Sequence, residues 1–284
     1  MTSQACQGDS AQPSLPEQLR TGTRQKHHAL NTLVMANLPL CLPPHAARPL
    51  HYAKGMILYG QIYSAFEDFM AVQLACSRAN QRLAWMYQSM YLPQLLRKSR
   101  LQSDIEVLKS RLGRSETEEL ESLAQKAEVF YQRVKSSLLR RPHVLLAYTW
   151  TMYLALFNGG RWIRSRLISA GVEFWLGEAL PLSFWEFPDH VHANVEGEQL
   201  KEQFKIGFSA AASHLTDDER QDVVEETSQL FDLCSEMVGF LDRNVRTEPL
   251  QEVSAGSSPY ATPLVAKRSL ECIRCRQTCG ERPR

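Results

Sequence analysis

The sequence predicts an all-α protein built as one multi-helical domain. Apolar residues recur at three- and four-residue spacing through most of residues 15–246. No stretch shows the alternation of a strand or the turn residues of a hairpin, and several helix starts are marked by a capping residue followed by acids. Nothing repeats at a fixed period, which sets a solenoid aside.

Taken in order, the periodic segments are Gln18 to Asn37, Leu50 to Ser77, Asp104 to Leu112, Glu116 to Leu139, Val144 to Ala170, Gln199 to His214 and Asp217 to Val245. In the first, Arg20, Arg24 and His27 or His28 fall at steps of three and four, so they form one stripe. A neutral imidazole there could ligate a metal, or the stripe could be a solvated basic face. Ser115 ahead of Glu116 and Glu118, and Thr216 ahead of Asp217, Asp218 and Glu219, supply a cap and negative charge at two helix starts. Pro142 suits a first turn. The run VLLAYTWTMYLALF, Val144 to Phe157, is too short for a membrane span and too apolar for a surface helix, so it is expected to be central and buried. It runs into Asn158, Gly159 and Gly160. Two glycines inside a helix cost about 1 kcal/mol each relative to alanine. They fit close helix packing, a helix end, or a flat ligand lying against bare backbone. Lys201 and Lys205, with Phe204 between them, stand four apart, a pattern more often a solvated face than an anion clamp.

Composition narrows the function. With 32 Lys and Arg against 31 Asp and Glu, the chain lacks the concentrated positive field of a nucleic-acid binder. No 18-residue uncharged apolar window appears, and the first twenty residues lack the basic start and apolar core of a secretion signal. Seven scattered cysteines do not form a secreted-type disulfide framework, so a cytoplasmic protein without a transmembrane segment is expected. Residues 1–14 and 247–284 read as flexible extensions of a 15–246 domain. The second of these is basic and carries Cys272, Cys275 and Cys279. Three cysteines fall short of a closed zinc site, while reversible acylation there would allow peripheral attachment to a membrane.

Together the segments resemble the heme oxygenase family, in the right chain order over roughly residues 15–245. LRTGTRQKHHALNTLVM resembles its proximal helix, in which a leucine, a basic residue and a threonine precede the histidine that ligates iron; the spacing from Thr23 selects His27. PHVLLAYTWTMYLALFNGG, Pro142 to Gly160, is similar to its distal helix without a gap. FWEFP, Phe184 to Pro188, resembles an aromatic segment before the next helix, and QLKEQFK places Lys201 and Lys205 where basic residues line the heme edge. The resemblance implies heme held between the two helices as both prosthetic group and substrate. It implies His27 on the iron, Arg20, Arg24, Lys201 and Lys205 toward the propionates, and Thr23 and Phe204 in the same binding set. It further implies cleavage of heme to biliverdin, carbon monoxide and ferrous iron, with dioxygen as co-substrate and electrons from an NADPH-dependent or ferredoxin-type reductase.

Two positions depart from the family pattern. Many members carry Gly-Asp just before the double glycine, and the aspartate organises water for proton delivery; here Ala155 and Leu156 stand there, and leucine can neither donate nor accept. Asn158 or Tyr153 would have to order the water instead, with Gly159 and Gly160 leaving room beside them. The alternative is a protein that binds or senses heme without cleaving it. One turn after His27, Asn31 replaces a glutamate that often orients the ligand ring.

Overall fold

The structure is a computed structural model describing residues 13–75, 80–187 and 197–245. All regular elements among them are helical. They are α1 (Leu15–Gly22), α2 (Arg24–Asn37), α3 (Leu50–Ala75), α4 (Gln81–Met90), α5 (Lys98–Arg111), α6 (Arg114–Arg140), α7 (Leu145–Ala155), α8 (Arg161–Ser169), α9 (Gly171–Phe174), α10 (Glu198–Ala212) and α11 (Asp217–Val245). Short 3-10 turns stand at Leu38–Cys41, Pro93–Leu95, Pro142–Val144 and Ser183–Trp185, and a wide π turn, Leu156–Gly160, joins α7 to α8. The predicted all-α class is the one observed.

Two predominantly apolar helices form the centre, as such helices must. One is α3, which buries Ile57, Leu58, Ile62, Tyr63, Phe66 and Met70 against α5, α6, α7 and α11. The other is α7, where Leu145, Leu146, Ala147, Tyr148, Met152 and Tyr153 are all buried, as the run from Val144 predicts. Glycine sets two of the crossings. A Cβ at Gly207 of α10 would stand 2.0 Å from the Ser89 carbonyl oxygen of α4, so these helices meet backbone to backbone. At Gly60 of α3 the obstacle is the Leu101 side chain, 2.3 Å away.

Buried polar groups staple the connections. Glu67 of α3 caps α5 from outside, accepting the Arg97 N–H at 2.8 Å and the Lys98 N–H at 2.9 Å. Asp104 of α5 accepts the N–H groups of Ser183 (3.0 Å) and Phe184 (2.8 Å), fixing the aromatic segment that follows. Arg97 is fully buried: its guanidinium donates to the carbonyls of Gln94, Leu96 and Glu186 and lies 5.0 Å from the centre of the Phe187 ring. Burial pulls its pKa down to about 10.

Several boundaries differ from the sequence expectation. The segment 18–37 is two helices broken at Thr23, whose φ of −109° and ψ of 4° leave the helical region; Arg20 and His27 therefore stand on different helices. The segment from Val144 to Ala170 is likewise divided by the π turn and ends at Ser169. Helix α5 begins at Lys98, not Asp104, because Glu67 supplies a cap from a distant helix. Helix α4 was not expected. Gly113, rather than Ser115, is the N-cap of α6, with Glu116 accepting its N–H at 2.7 Å. Thr216 caps α11 as expected, its hydroxyl accepting the Glu219 N–H at 3.2 Å. Residues 1–12, Pro188 and the cysteine tail lie outside the described residues.

Candidate functional site

Helix α2 is unusual in what it leaves uncovered. Of its fourteen residues none is buried, although Ala29, Leu30, Leu33, Val34, Met35 and Ala36 are apolar. Lys26 holds it to α11, with its ammonium 2.5 Å from Asp232 Oδ2 and 3.4 Å from the Ser228 carbonyl. The next residue, His27, is exposed and meets Phe231 of α11 edge to face, with ring centres 5.8 Å apart. Its main-chain N–H reaches the Thr23 carbonyl at 2.8 Å. Thr23 itself is buried and donates its hydroxyl to the Leu19 carbonyl at 2.7 Å, so it works as the joint between α1 and α2. Arg24, Gln25, His27 and His28 border an open surface concavity of about 610 Å³.

The other segment singled out by the sequence is the turn Leu156–Gly160. Leu156, Phe157 and Gly160 face inward, while Asn158 and Gly159 face out. A Cβ built on Gly159 meets nothing within 4 Å, so no protein packing accounts for glycine there. Gly160 is different: its Cβ position lies 3.4 Å from the Trp185 ring, and the Trp185 indole N–H in turn donates to the Tyr52 hydroxyl at 2.9 Å. Phe157 stacks on Phe187 at 4.5 Å and 12°. Phe157 and Phe187 also crowd Gly197, whose φ of +78° opens α10. Arg161 at the start of α8 pairs with Glu198 at 2.6 Å, which ties α10 to this turn.

The expected site residues divide between two sides. His27, Arg24 and Arg20 are exposed on α2 and on α1, which packs against α10 and α11. Lys201 and Lys205 lie along α10, each beside an acid of its own helix: Glu198 at 3.6 Å and Glu202 at 2.7 Å. Tyr153 and Phe204 turn the other way. Tyr153 is buried, its hydroxyl donates to Glu67 at 3.2 Å, and burial raises its pKa well above the usual phenol value. Phe204 is fully buried between Tyr153 and Phe208. These two aromatics belong to the core beneath the turn, not to its outer face. Leu156, at the position of the family aspartate, is 3% exposed and also faces the core. Phe231 is a contact of His27 that sequence reasoning missed, since one phenylalanine in an amphipathic helix carries no signal of its own.

The described residues are thus all-helical, with an exposed histidine on α2 and an outward-facing glycine in the turn after α7. The family model described as heme oxygenase matches residues 13–239, and the chain belongs to that family. Relatives are distant. Heme-binding protein HMX1 of Saccharomyces cerevisiae is 23% identical over 235 residues, 77% of this chain and 72% of the relative. Heme oxygenase 1 of Nostoc is 23% identical over 234 residues, covering 82% and 87%. Among solved structures, heme oxygenase-2 of Synechocystis in complex with heme and NO superposes with a TM-score of 0.62, at 20% identity over 82% of this chain and 87% of that one. Heme oxygenase-1 of Synechocystis in complex with heme gives 0.60, at 20% identity over 82% and 95%. No described helix is long and apolar enough to cross a membrane.

Proposed function

We propose that this protein binds heme through His27 on α2, with the outward face of Leu156–Gly160 covering the opposite side of the ring, and cleaves it to biliverdin, carbon monoxide and ferrous iron. The observation that supports it most is Gly159, a glycine with open space where its side chain would be, in a chain of this family. The donor set fits the group. The His27 imidazole would ligate the iron, the apolar residues of α2 would gain cover, and Arg20, Arg24, Lys201 and Lys205 would offer charge-assisted bonds to propionates. When bound, heme supplies both the site of dioxygen chemistry and the ring that is opened; electrons come from a reductase of NADPH-dependent or ferredoxin type.

The chain's own residues have separate tasks in this proposal. His27 holds the iron, and Phe231 at its edge limits its rotation. Gly159 lets the ring approach the main chain. Asn158, exposed beside it, orders water for proton delivery, a role that Leu156 cannot fill and that the Tyr153 hydroxyl, committed to Glu67, does not reach. We place the 15–246 domain in the cytoplasm, with the basic cysteine tail as a peripheral membrane attachment.

Leu156 favours a second reading, a heme-binding or heme-sensing protein that does not cleave its ligand, since the inward leucine leaves proton delivery to Asn158. Anaerobic hemin titration followed, in the same cuvette, by dioxygen and a reductase system separates the two. Loss of the Soret band with biliverdin formation, insensitive to catalase, supports cleavage. Stoichiometric binding with a Soret band that persists supports the second reading.

A further inference from the structure

One buried hydroxyl meets the main chain just before it widens at Leu156–Gly160. In a regular α-helix the Met152 carbonyl would accept the Leu156 N–H. Here the Leu156 N–H donates to Tyr153, one residue closer, and the Met152 carbonyl accepts the Tyr63 hydroxyl of α3 at 2.9 Å. Tyr63 is 3% exposed, and its ring is wedged edge to face against Phe184 at 5.1 Å and beside Phe66 at 5.6 Å, so the hydroxyl has little freedom to point elsewhere. A buried carbonyl that loses its regular amide donor is costly unless another donor takes it. Wide turns are found mostly as single interruptions of α-helices, frequently at functional sites.

We propose that Tyr63 is a positioning residue: its hydroxyl selects the wide register of residues 156–160 and thereby sets how Asn158 and Gly159 face the ligand. The far end of the turn is held by packing, with Phe157 on Phe187 and Gly160 against Trp185. These aromatic contacts hold the inward residues of the observed turn. They supply no donor to the Met152 carbonyl. Without the Tyr63 hydroxyl, that carbonyl regains a partner when the helix tightens and the Leu156 N–H returns to it, which rotates the residues that follow. The consequence for the ligand rests on the heme-binding proposal; the register of the turn does not.

The test is amide hydrogen exchange on the ligand-free protein, comparing wild type with Tyr63→Phe. The phenylalanine keeps both ring contacts and removes only the hydroxyl. Exchange is expected to change by about tenfold, the scale of one hydrogen bond, at amides within 156–161 as their partners are exchanged, while α6 exchanges as before. Unchanged exchange in 156–161 overturns the proposal. So does uniform acceleration across all helices, which would mark Tyr63 as a general core residue. A second readout uses the hemin-loaded protein: Tyr63→Phe should shift the pH profile of the visible spectrum and lower turnover with hemin affinity held within about twofold. An identical spectrum and pH profile also counts against it. If wild type takes up no hemin, the heme proposal fails while the exchange experiment still decides the role of Tyr63.

Discussion

Gly159→Ala should separate a glycine kept for a ligand from one kept for the fold. The alanine Cβ meets no atom within 4 Å, and the Gly159 backbone is not in the left-handed region, so the ligand-free protein has no reason to resist it. Replacing glycine by alanine inside a helix stabilises by about 0.5–1 kcal/mol. For a domain of this size each kcal/mol moves Tm by about 2–4 °C, so the ligand-free variant should melt about 1–4 °C higher. Hemin should respond in the opposite sense. A methyl group projecting from the face on which the ring would lie forces it away, an overpacking cost of about 1–3 kcal/mol, or about 5- to 150-fold in Kd. Calorimetry of the ligand-free variant and a hemin titration followed at the Soret band measure the two effects. Gly160→Ala is the comparison: its methyl group would press on Trp185 from the core side, so hemin affinity should change little. Wild-type affinity in Gly159→Ala, or a lower ligand-free Tm, would refute the assignment of this glycine to the ligand.

Other consequences are open to simple measurements. Gly207→Ala drives a methyl group into the Ser89 carbonyl and should cost about 2–3 kcal/mol, about 4–12 °C in Tm, whereas at Gly60→Ala the flexible end of Leu101 can rotate away and the loss should be nearer 1 kcal/mol. Arg82 holds the Glu219 carboxyl, normally near 4.5, down to about 2. Because the folded value lies below the unfolded one, the stabilisation is complete above about pH 4.5 and disappears as pH falls toward 2. Urea melts across pH 2–6 should show that slope in wild type and lose part of it in Arg82→Met, which should cost only about 1 kcal/mol at pH 7 because the arginine is 37% exposed. Asn158→Ala should lower biliverdin formation without changing hemin affinity by more than about twofold; full turnover in that variant would remove the asparagine from proton delivery.

The central helix and the glycine pair were legible because their cause is local: a run of apolar residues from Val144 demands burial, and adjacent glycines demand a reason. What escaped prediction has distant causes. Helix α4 is short, and its crossing partner is Gly207, more than a hundred residues away. The early start of α5 depends on Glu67 and the wide turn on Tyr63, both carried by α3, so no window around Lys98 or Leu156 contains the signal. The same limit applies at the candidate site. The family resemblance put Lys201, Phe204 and Lys205 in one binding set, but Phe204 is drawn into the core by Tyr153 and Phe208 while the lysines remain outside.

The most direct test of the central claim is a hemin titration of wild type, His27→Ala and His28→Ala, recorded through the ferric Soret region. The account predicts stoichiometric uptake with the same spectrum in wild type and His28→Ala, and loss of that spectrum in His27→Ala, with recovery when imidazole is added to fill the axial position. A wild-type spectrum in His27→Ala, or its loss in His28→Ala, would contradict the assignment of α2 and His27 as the wall that holds the iron.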